Sequence, residues 1–154
     1  MPWLGPQLTL TTGVRAHAWR VELGAIYRAP TRVVAELDPA AGARVRMWAL
    51  AARGCGVLHP GPLELALCGG LEAGQVIGEG FGYGDARRDP IPWVAVTLGP
   101  ALSYAPRRWL ALWLGVDLAI PAVRGTFAAA GLGRLYIVGP VSLRGALGLE
   151  FRFP

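Results

Sequence analysis

Val141-Ser-Leu-Arg-Gly-Ala-Leu-Gly-Leu-Glu-Phe-Arg-Phe153, close to the C-terminus, alternates between two kinds of residue. One parity is apolar apart from a single glycine. The other parity carries Ser142, two arginines and a glutamate, with small residues between them. Successive side chains of a β-strand point to opposite faces of a sheet. The segment therefore predicts a strand with one apolar face and one ionic face.

The same alternation recurs along most of the chain, for example in residues 19–28, which read WRVELGAIYR. The spacing is i, i+2, i+4 rather than helical. Segments of this kind lie at residues 7–16, 19–28, 44–52, 63–74, 93–104, 109–119, 126–136 and 141–153. Each has about ten residues, the length with which a tilted strand crosses a membrane. The pattern predicts an all-β fold, an eight-stranded antiparallel up-and-down transmembrane β-barrel.

Composition supports one domain over residues 1–154 with a surplus of apolar side chains. Hydrophobic residues make up 53% and charged residues 16%, against roughly 25% charged in soluble domains. Such a chain needs either a very large core or contact with lipid. The N-terminal residues have neither the charged nor the apolar region of a cleavable signal. We expect the chain to lack its N-terminal signal or a leading segment.

The charges decide which face points outward, because an arginine on a lipid-facing strand costs about 2–4 kcal/mol at the bilayer midplane. We expect the ionic parity, which also includes Arg20, Arg28 and Glu64, to face the interior, where both signs can pair. The predicted interior ionic network consists of Arg15, Glu22, Glu72, Asp117, Arg134, Arg144, Glu150 and Arg152. Because side chains just fill an eight-stranded barrel, this network would largely plug it. The reverse arrangement, a soluble β-barrel binding protein with an apolar core, stays open as an alternative.

Four stretches give the chain a family resemblance: residues 19–27, 63–74, 93–100 and 147–153. With them the chain resembles small, uncharacterised bacterial outer-membrane β-barrel proteins of high-GC Gram-negative bacteria. The resemblance implies an outer-membrane location, with the lipid bilayer and the barrel assembly machinery as partners. It also implies that Phe151 and Phe153 belong to the C-terminal assembly signal, although Pro154 follows them here. It implies no activity, so a structural or surface role is expected, with a small passive, porin-like channel for ions or small solutes as the alternative.

The two cysteines flank the proline-rich turn at residues 59–62. With a tight turn there, residues whose numbers sum to 123 face each other, which places Cys55 opposite Cys68. This predicts a cross-strand disulfide, which an oxidising compartment would allow. Trp93 and Trp109 stand at predicted strand ends, as interfacial anchors do. The alternative is that they are core residues at strand ends.

Residues that would carry catalysis or ligand binding are sparse. Neither serine lies in a Gly-x-Ser-x-Gly elbow, and a lipid-modifying enzyme would have only His17 and His59 as its imidazole bases. The glycine-rich run at residues 74–84 precedes no helix, so it fails the test for a nucleotide site. Scattered arginines form no basic stripe for nucleic acid. We therefore expect no enzyme activity, no cofactor, no metal and no nucleic-acid partner.

The predicted order of strands conflicts with the usual orientation of such barrels. With eight strands and a periplasmic C-terminus, the short connections at residues 59–62 and 106–108 would face away from the periplasm. The longer connections at residues 30–42 and 82–92 would then be periplasmic, the reverse of the common arrangement.

Overall fold

A computed structural model describes residues 6–34, 42–59, 62–81, 88–123, 126–129, 133–137 and 139–153. The strands are β1 (Gln7–Arg15), β2 (Trp19–Val34), β3 (Gly42–Leu58), β4 (Leu63–Phe81), β5 (Arg88–Arg107), β6 (Leu110–Pro121), β7 (Thr126–Ala129), β8 (Gly133–Ile137) and β9 (Ser142–Phe151). Within these ranges no helix is long and apolar enough to cross a membrane.

Seven of the strands form one antiparallel up-and-down sheet in the order β1-β2-β3-β4-β5-β6-β9. The sheet curls into a half-barrel. The curvature is seen in the contacts that side chains of both edge strands make with the middle strand, β4. Arg15 of β1 contacts Glu64 of β4, and Arg144 of β9 contacts Glu72, which is also in β4. The all-β, up-and-down fold predicted from the alternation is confirmed.

The single strand predicted at residues 126–136 is wrong. This segment overlaps β7 and β8, which among the described residues pair only with each other, and β9 pairs directly with β6. The segment is rich in alanine and glycine, so it offers few side chains to either face of a sheet, and glycine inside a strand weakens it. The described part of the main sheet therefore has seven strands rather than eight.

This change in strand order removes the conflict over orientation. Because β9 follows β6 in the sheet, the end of β9 lies beside the short connections at residues 16–18, 59–62 and 108–109. We call this the short-turn end. The connections at residues 35–41, 82–87 and 122–141 lie at the opposite, long-loop end.

Side chains alternate between an exposed convex face and a more covered concave face on every strand of the main sheet except β1, whose nine residues are all exposed. On β6, Leu112 and Leu114 are 46% and 50% exposed, whereas Ala111 before them and Ala119 after them are fully buried. On β3 the predicted assignment of faces is wrong, because the parity that carries Arg44 and Arg46 was expected to face the interior. There Val45, Met47 and Ala49 face the interior and the other parity faces outward.

The polarity of the two faces reverses toward the long-loop end. On the outward side there, Arg46 and Glu79 form an ion pair of 3.6 Å. The inward side carries a buried apolar cluster, which consists of Ile26, Val45, Met47, Ala49, Val76, Trp93 and Ala95. Nearer the short-turn end, charged groups line the interior and apolar groups cover the outside.

Candidate functional site

The concave face gathers charged side chains from strands that are distant in sequence. Glu64, the second residue of β4, is buried inside the half-barrel near its short-turn end. Its carboxylate accepts hydrogen bonds from Arg15 (2.9 Å), Arg20 (3.3 Å) and Arg152 (3.3 Å). Since these arginines come from β1, β2 and the residue that follows β9, one carboxylate joins both edges of the sheet to its middle.

The ion pairs continue from Arg20 through the interior. Its guanidinium lies 2.8 Å from Glu22 and 3.3 Å from Glu150, and Glu150 accepts a 2.8 Å hydrogen bond from Arg152. Glu22 also binds Arg53, which in turn lies 3.9 Å from Asp117. The result is one continuous ionic network across six strands and the residue after β9.

Glu72 and Arg144 form a separate contact nearer the middle of the strands. The Arg144 guanidinium donates two hydrogen bonds, of 2.7 and 3.0 Å, to the Glu72 carboxylate. The indole of Trp93 donates a third, of 3.3 Å, to the same carboxylate. Paired, charge-assisted hydrogen bonds of this geometry are the strong kind. They hold β9 against β4 and β5.

Trp113 occupies the interior beside the ionic network. Its ring lies so close to Gly115 and Gly148 that a Cβ at either position would stand 2.7 Å from the indole. The Arg53 guanidinium lies 5.5 Å from the ring centre, within the range of a cation–π contact. Two glycines thus make room for an aromatic ring that covers a partly buried arginine.

Most of the predicted network lies together in the interior. The described members each take part in an ion pair; they are Arg15, Glu22, Glu72, Asp117, Arg144, Glu150 and Arg152. The side chain of Arg134 lies outside the described residues. Sequence reasoning missed Arg53, because the predicted strand ended at residue 52, one position short of it. Arg53 shares the parity of Val45 and Met47, which is predicted to face outward, so extending the strand would not have placed Arg53 in the interior.

The two tryptophans predicted as interfacial anchors differ in exposure. Trp109 is 56% exposed at the short-turn end, and its ring stacks on Phe151 at a centroid distance of 6.5 Å. Trp93 is only 8% exposed and donates to Glu72 inside the sheet, so its assignment as an anchor is wrong. Its parity on β5 matches that of the buried Ala95 and Thr97, which turns the ring inward. Phe153, one of the two predicted assembly-signal residues, is almost fully exposed.

Cys55 and Cys68 lie opposite each other in the β3–β4 register, with the Sγ atoms 2.10 Å apart. The predicted pairing is therefore present at disulfide distance. The pair is buried with Val57, Ala66 and Ala101 on the inner surface of the sheet.

Little open space remains between these groups. One interior cavity of ≈ 50 Å³ lies among the network residues, which is room for only a few water molecules. At the short-turn end, a shallow opening of ≈ 520 Å³ is lined by four arginines, Arg15, Arg107, Arg108 and Arg152. Beside the short turns, His17 and His59 stack at 5.3 Å, and His59 lies 3.6 Å from Glu64.

In the described part of the chain, no three His, Cys, Asp or Glu residues are grouped as metal ligands would be. Comparison with protein-family models, with curated proteins and with solved structures finds no match to the chain.

Proposed function

We propose that this protein is an integral β-barrel protein of a bacterial outer membrane, with a structural or surface role and an interior largely filled by its ionic network. The observation that carries the proposal is the outward face of the sheet. It is apolar where the interior is charged, and it becomes polar where the interior becomes apolar. A soluble protein has no physical reason to turn its leucines outward over this length.

The apolar outward face extends over all seven strands of the main sheet. Many of its large side chains are at least 44% exposed; they include Leu8, Leu10, Leu23, Leu50, Leu65, Leu67, Leu71, Val96, Leu98, Leu114, Leu118, Leu143, Leu147 and Leu149. A contiguous exposed patch of this kind marks a membrane or protein contact. We call it the apolar band.

Aromatic residues border the apolar band at both ends. Trp19, Tyr104, Trp109 and Phe151 lie toward the short-turn end, and Tyr27 and Trp48 lie side by side toward the long-loop end. Trp19 and Tyr27 are eight residues apart on β2, which is ~27 Å along a strand. With a tilt of about 40°, the band is ~20 Å tall, close to the roughly 25 Å apolar band of outer-membrane barrels.

The described strands also fit the common orientation of such barrels. Short turns and the C-terminal strand end share one end of the sheet, which we assign to the periplasmic side. The exposed Phe151 and Phe153 then lie where the barrel assembly machinery would meet them, and the long loops face the outside. The barrel that we propose is closed and eight-stranded, because an open sheet edge is not stable in hydrocarbon.

A passive channel is the second candidate, and the cationic opening at the short-turn end favours it. Arg15, Arg107, Arg108 and Arg152 would draw anions toward the interior. Against conduction stand the ≈ 50 Å³ cavity and the ion pairs that cross the interior. We place the channel below the plugged barrel, and a soluble β-barrel binding protein below both.

The test is to fold the chain with and without detergent micelles. We expect β-rich circular dichroism only with micelles, and a band that migrates differently on a detergent gel before and after boiling. A chain that is folded and monomeric in plain buffer would overturn the membrane proposal, because its apolar band would then be a core.

Conductance in planar bilayers separates the plugged barrel from the channel. We expect no regular conductance steps from the parent protein. Steps from the parent protein, with a preference for anions, would favour the channel instead.

A further inference from the structure

The main sheet has two free edges, β1 and β9, within the described residues. Six antiparallel steps separate them, so the two strands run in the same direction, from the long-loop end to the short-turn end. Every other neighbouring pair in the sheet is antiparallel. A direct β1–β9 contact would be the one parallel pair.

The backbone groups that face the gap can be identified from the hydrogen bonds at the strand ends. The Ala16 amide donates to the Trp19 carbonyl and the Ala29 amide to the Pro6 carbonyl. Bonded pairs alternate along an antiparallel ladder, so the even-numbered residues of β1 bond to β2. The odd-numbered residues, 7 to 15, direct their N–H and C=O groups toward the gap.

The same argument applies to β9. The Arg152 amide donates to the Trp109 carbonyl, so the even-numbered residues of β9 bond to β6. The odd-numbered residues, 143 to 151, face the gap. Both edges of the gap therefore present a row of backbone donors and acceptors at the height of the apolar band.

We propose that the gap between β1 and β9 binds one further β-strand, antiparallel to both, supplied by polypeptide outside residues 1–154. The inference rests on the membrane location proposed above, since only in lipid must both edges be paired. The strand runs from the short-turn end to the long-loop end. It raises the number of strands to eight, with antiparallel neighbours throughout.

The two edges also fix the chemistry of this strand. Its outward side chains are apolar, because Leu8, Leu10 and Leu147 continue the apolar band on either side of the gap. Its inward side chains are small or polar, as in the facing strands, with a carboxylate near Arg144. The Nε atom of Arg144 is buried and lacks a hydrogen-bond partner among the described residues. A strand of about ten residues spans the band.

A second copy of the chain fits this gap less well. Two copies that share one membrane orientation place β1 of one beside β9 of the other in parallel, at each of two junctions. A single antiparallel strand pairs with both edges of one copy and keeps the ladder type that the rest of the sheet uses.

A peptide with the sequence of residues 110–119, LALWLGVDLA, serves as the probe. In the protein this sequence already pairs antiparallel with β9, with Asp117 opposite Arg144. The control is a peptide of the same ten residues reordered so that the alternation is lost. In a second form of the experiment, each sequence is fused through a flexible linker ahead of residue 1, which raises its effective concentration.

Hydrogen–deuterium exchange of the chain in micelles, resolved by residue, gives the readout. Without the probe, we expect the amides of Thr9, Thr11, Leu147 and Leu149 to exchange at least tenfold faster than those of the residues between them. The alternating peptide, free or fused, should slow these amides at least tenfold, and the reordered peptide should not.

Three results would overturn this inference while leaving the membrane proposal intact. Slow exchange without the probe in a monomer would mean that β1 and β9 pair directly. Slow exchange in a dimer would mean that a second copy fills the gap. Exchange that stays fast with both the free and the fused probe would mean that the gap binds no strand. A chain that does not fold in micelles, either alone or with the alternating sequence fused to it, would instead reject the proposed function.

Discussion

At the scale of single residues, the interior of this protein depends on buried carboxylates that are fully paired. Glu64 and Glu72 are each no more than 5% exposed, and each binds at least one guanidinium. A buried pair adds little net stability compared with apolar residues of the same size, but breaking it leaves an uncompensated charge. Removing one charged side chain from the network should therefore destabilise the fold by much more than the whole pair stabilises it.

Glu72→Ala is the sharpest test of this point. It leaves the Arg144 guanidinium without its carboxylate in the interior, and we expect the free energy of unfolding to fall by about 3–5 kcal/mol. Urea unfolding in micelles measures it. The control is Arg46→Ala, which breaks a half-exposed ion pair with Glu79 and should cost less than about 1 kcal/mol. Equal losses in the two variants would mean that the interior pair is solvated.

A second prediction concerns Gly99, where the backbones of β5 and β6 lie close together. A Cβ on Gly99 would overlap with the carbonyl oxygen of Val116 on the neighbouring strand, whereas a Cβ on Gly54 would meet nothing within 4 Å. We expect Gly99→Ala to destabilise the fold by about 1–3 kcal/mol and Gly54→Ala to change it by at most ~0.5 kcal/mol. The same urea titration compares them. A neutral Gly99→Ala would show that β5 and β6 can move apart at no cost.

At the scale of elements, the β3–β4 hairpin is one of the two longest strand pairings in the sheet, together with β4–β5. Seventeen register pairs join its strands without a break, from Gly42 with Phe81 to Leu58 with Leu65. The Cys55–Cys68 pair lies near its closed end, across a sequence separation of 13. A crosslink over a loop of this length acts mainly on the unfolded chain.

We expect the double variant Cys55→Ala/Cys68→Ala to lose about 2–3 kcal/mol of unfolding free energy relative to the oxidised parent. Alanine keeps both positions small and apolar, so packing changes little. Reducing agent should lower the stability of the parent to a similar extent and leave the variant unchanged. A parent that is insensitive to reductant would show that the two thiols are not crosslinked.

Strand pairing explains which elements could be predicted from the sequence. Alternation identified every strand of the main sheet, because apolar residues recur with a period of two along each of them, including β1, whose nine residues are all exposed. It failed at residues 126–136, where the alternation is carried by alanine and glycine and so has little energetic weight. It also misassigned the faces of β3, because Arg44, Arg46 and Trp48 lie on the outward side beyond or at the border of the apolar band.

At the scale of the whole molecule, the proposed membrane location depends on the apolar band. If it contacts lipid, a charge at its middle costs more than a charge at its border. Leu114 lies in the middle of β6, and Leu58 lies at the short-turn end of β3. Both are exposed leucines on the outward face. Replacing each with the same residue therefore tests the effect of depth in the bilayer, because the chemical change is identical.

We expect Leu114→Arg to lower the stability of the protein in lipid vesicles by about 2–4 kcal/mol and Leu58→Arg by about 0–1 kcal/mol. Folding titrations in vesicles, followed by tryptophan fluorescence, measure the difference. If both variants fold as well as the parent, the band does not lie in hydrocarbon.

The sequence by itself determined the all-β class, the up-and-down order of most strands, the cysteine pairing and most of the inward charges. These follow from a period of two and from the arithmetic of a hairpin, both of which are local. Only the tertiary structure decided that β9 pairs with β6, that Arg53 joins the network, that Trp93 faces Glu72, and that β1 and β9 are left as parallel edges. Each of these depends on which strands become neighbours and how the sheet curls. Alternation fixes the two faces of a strand, but it carries no information on its partner.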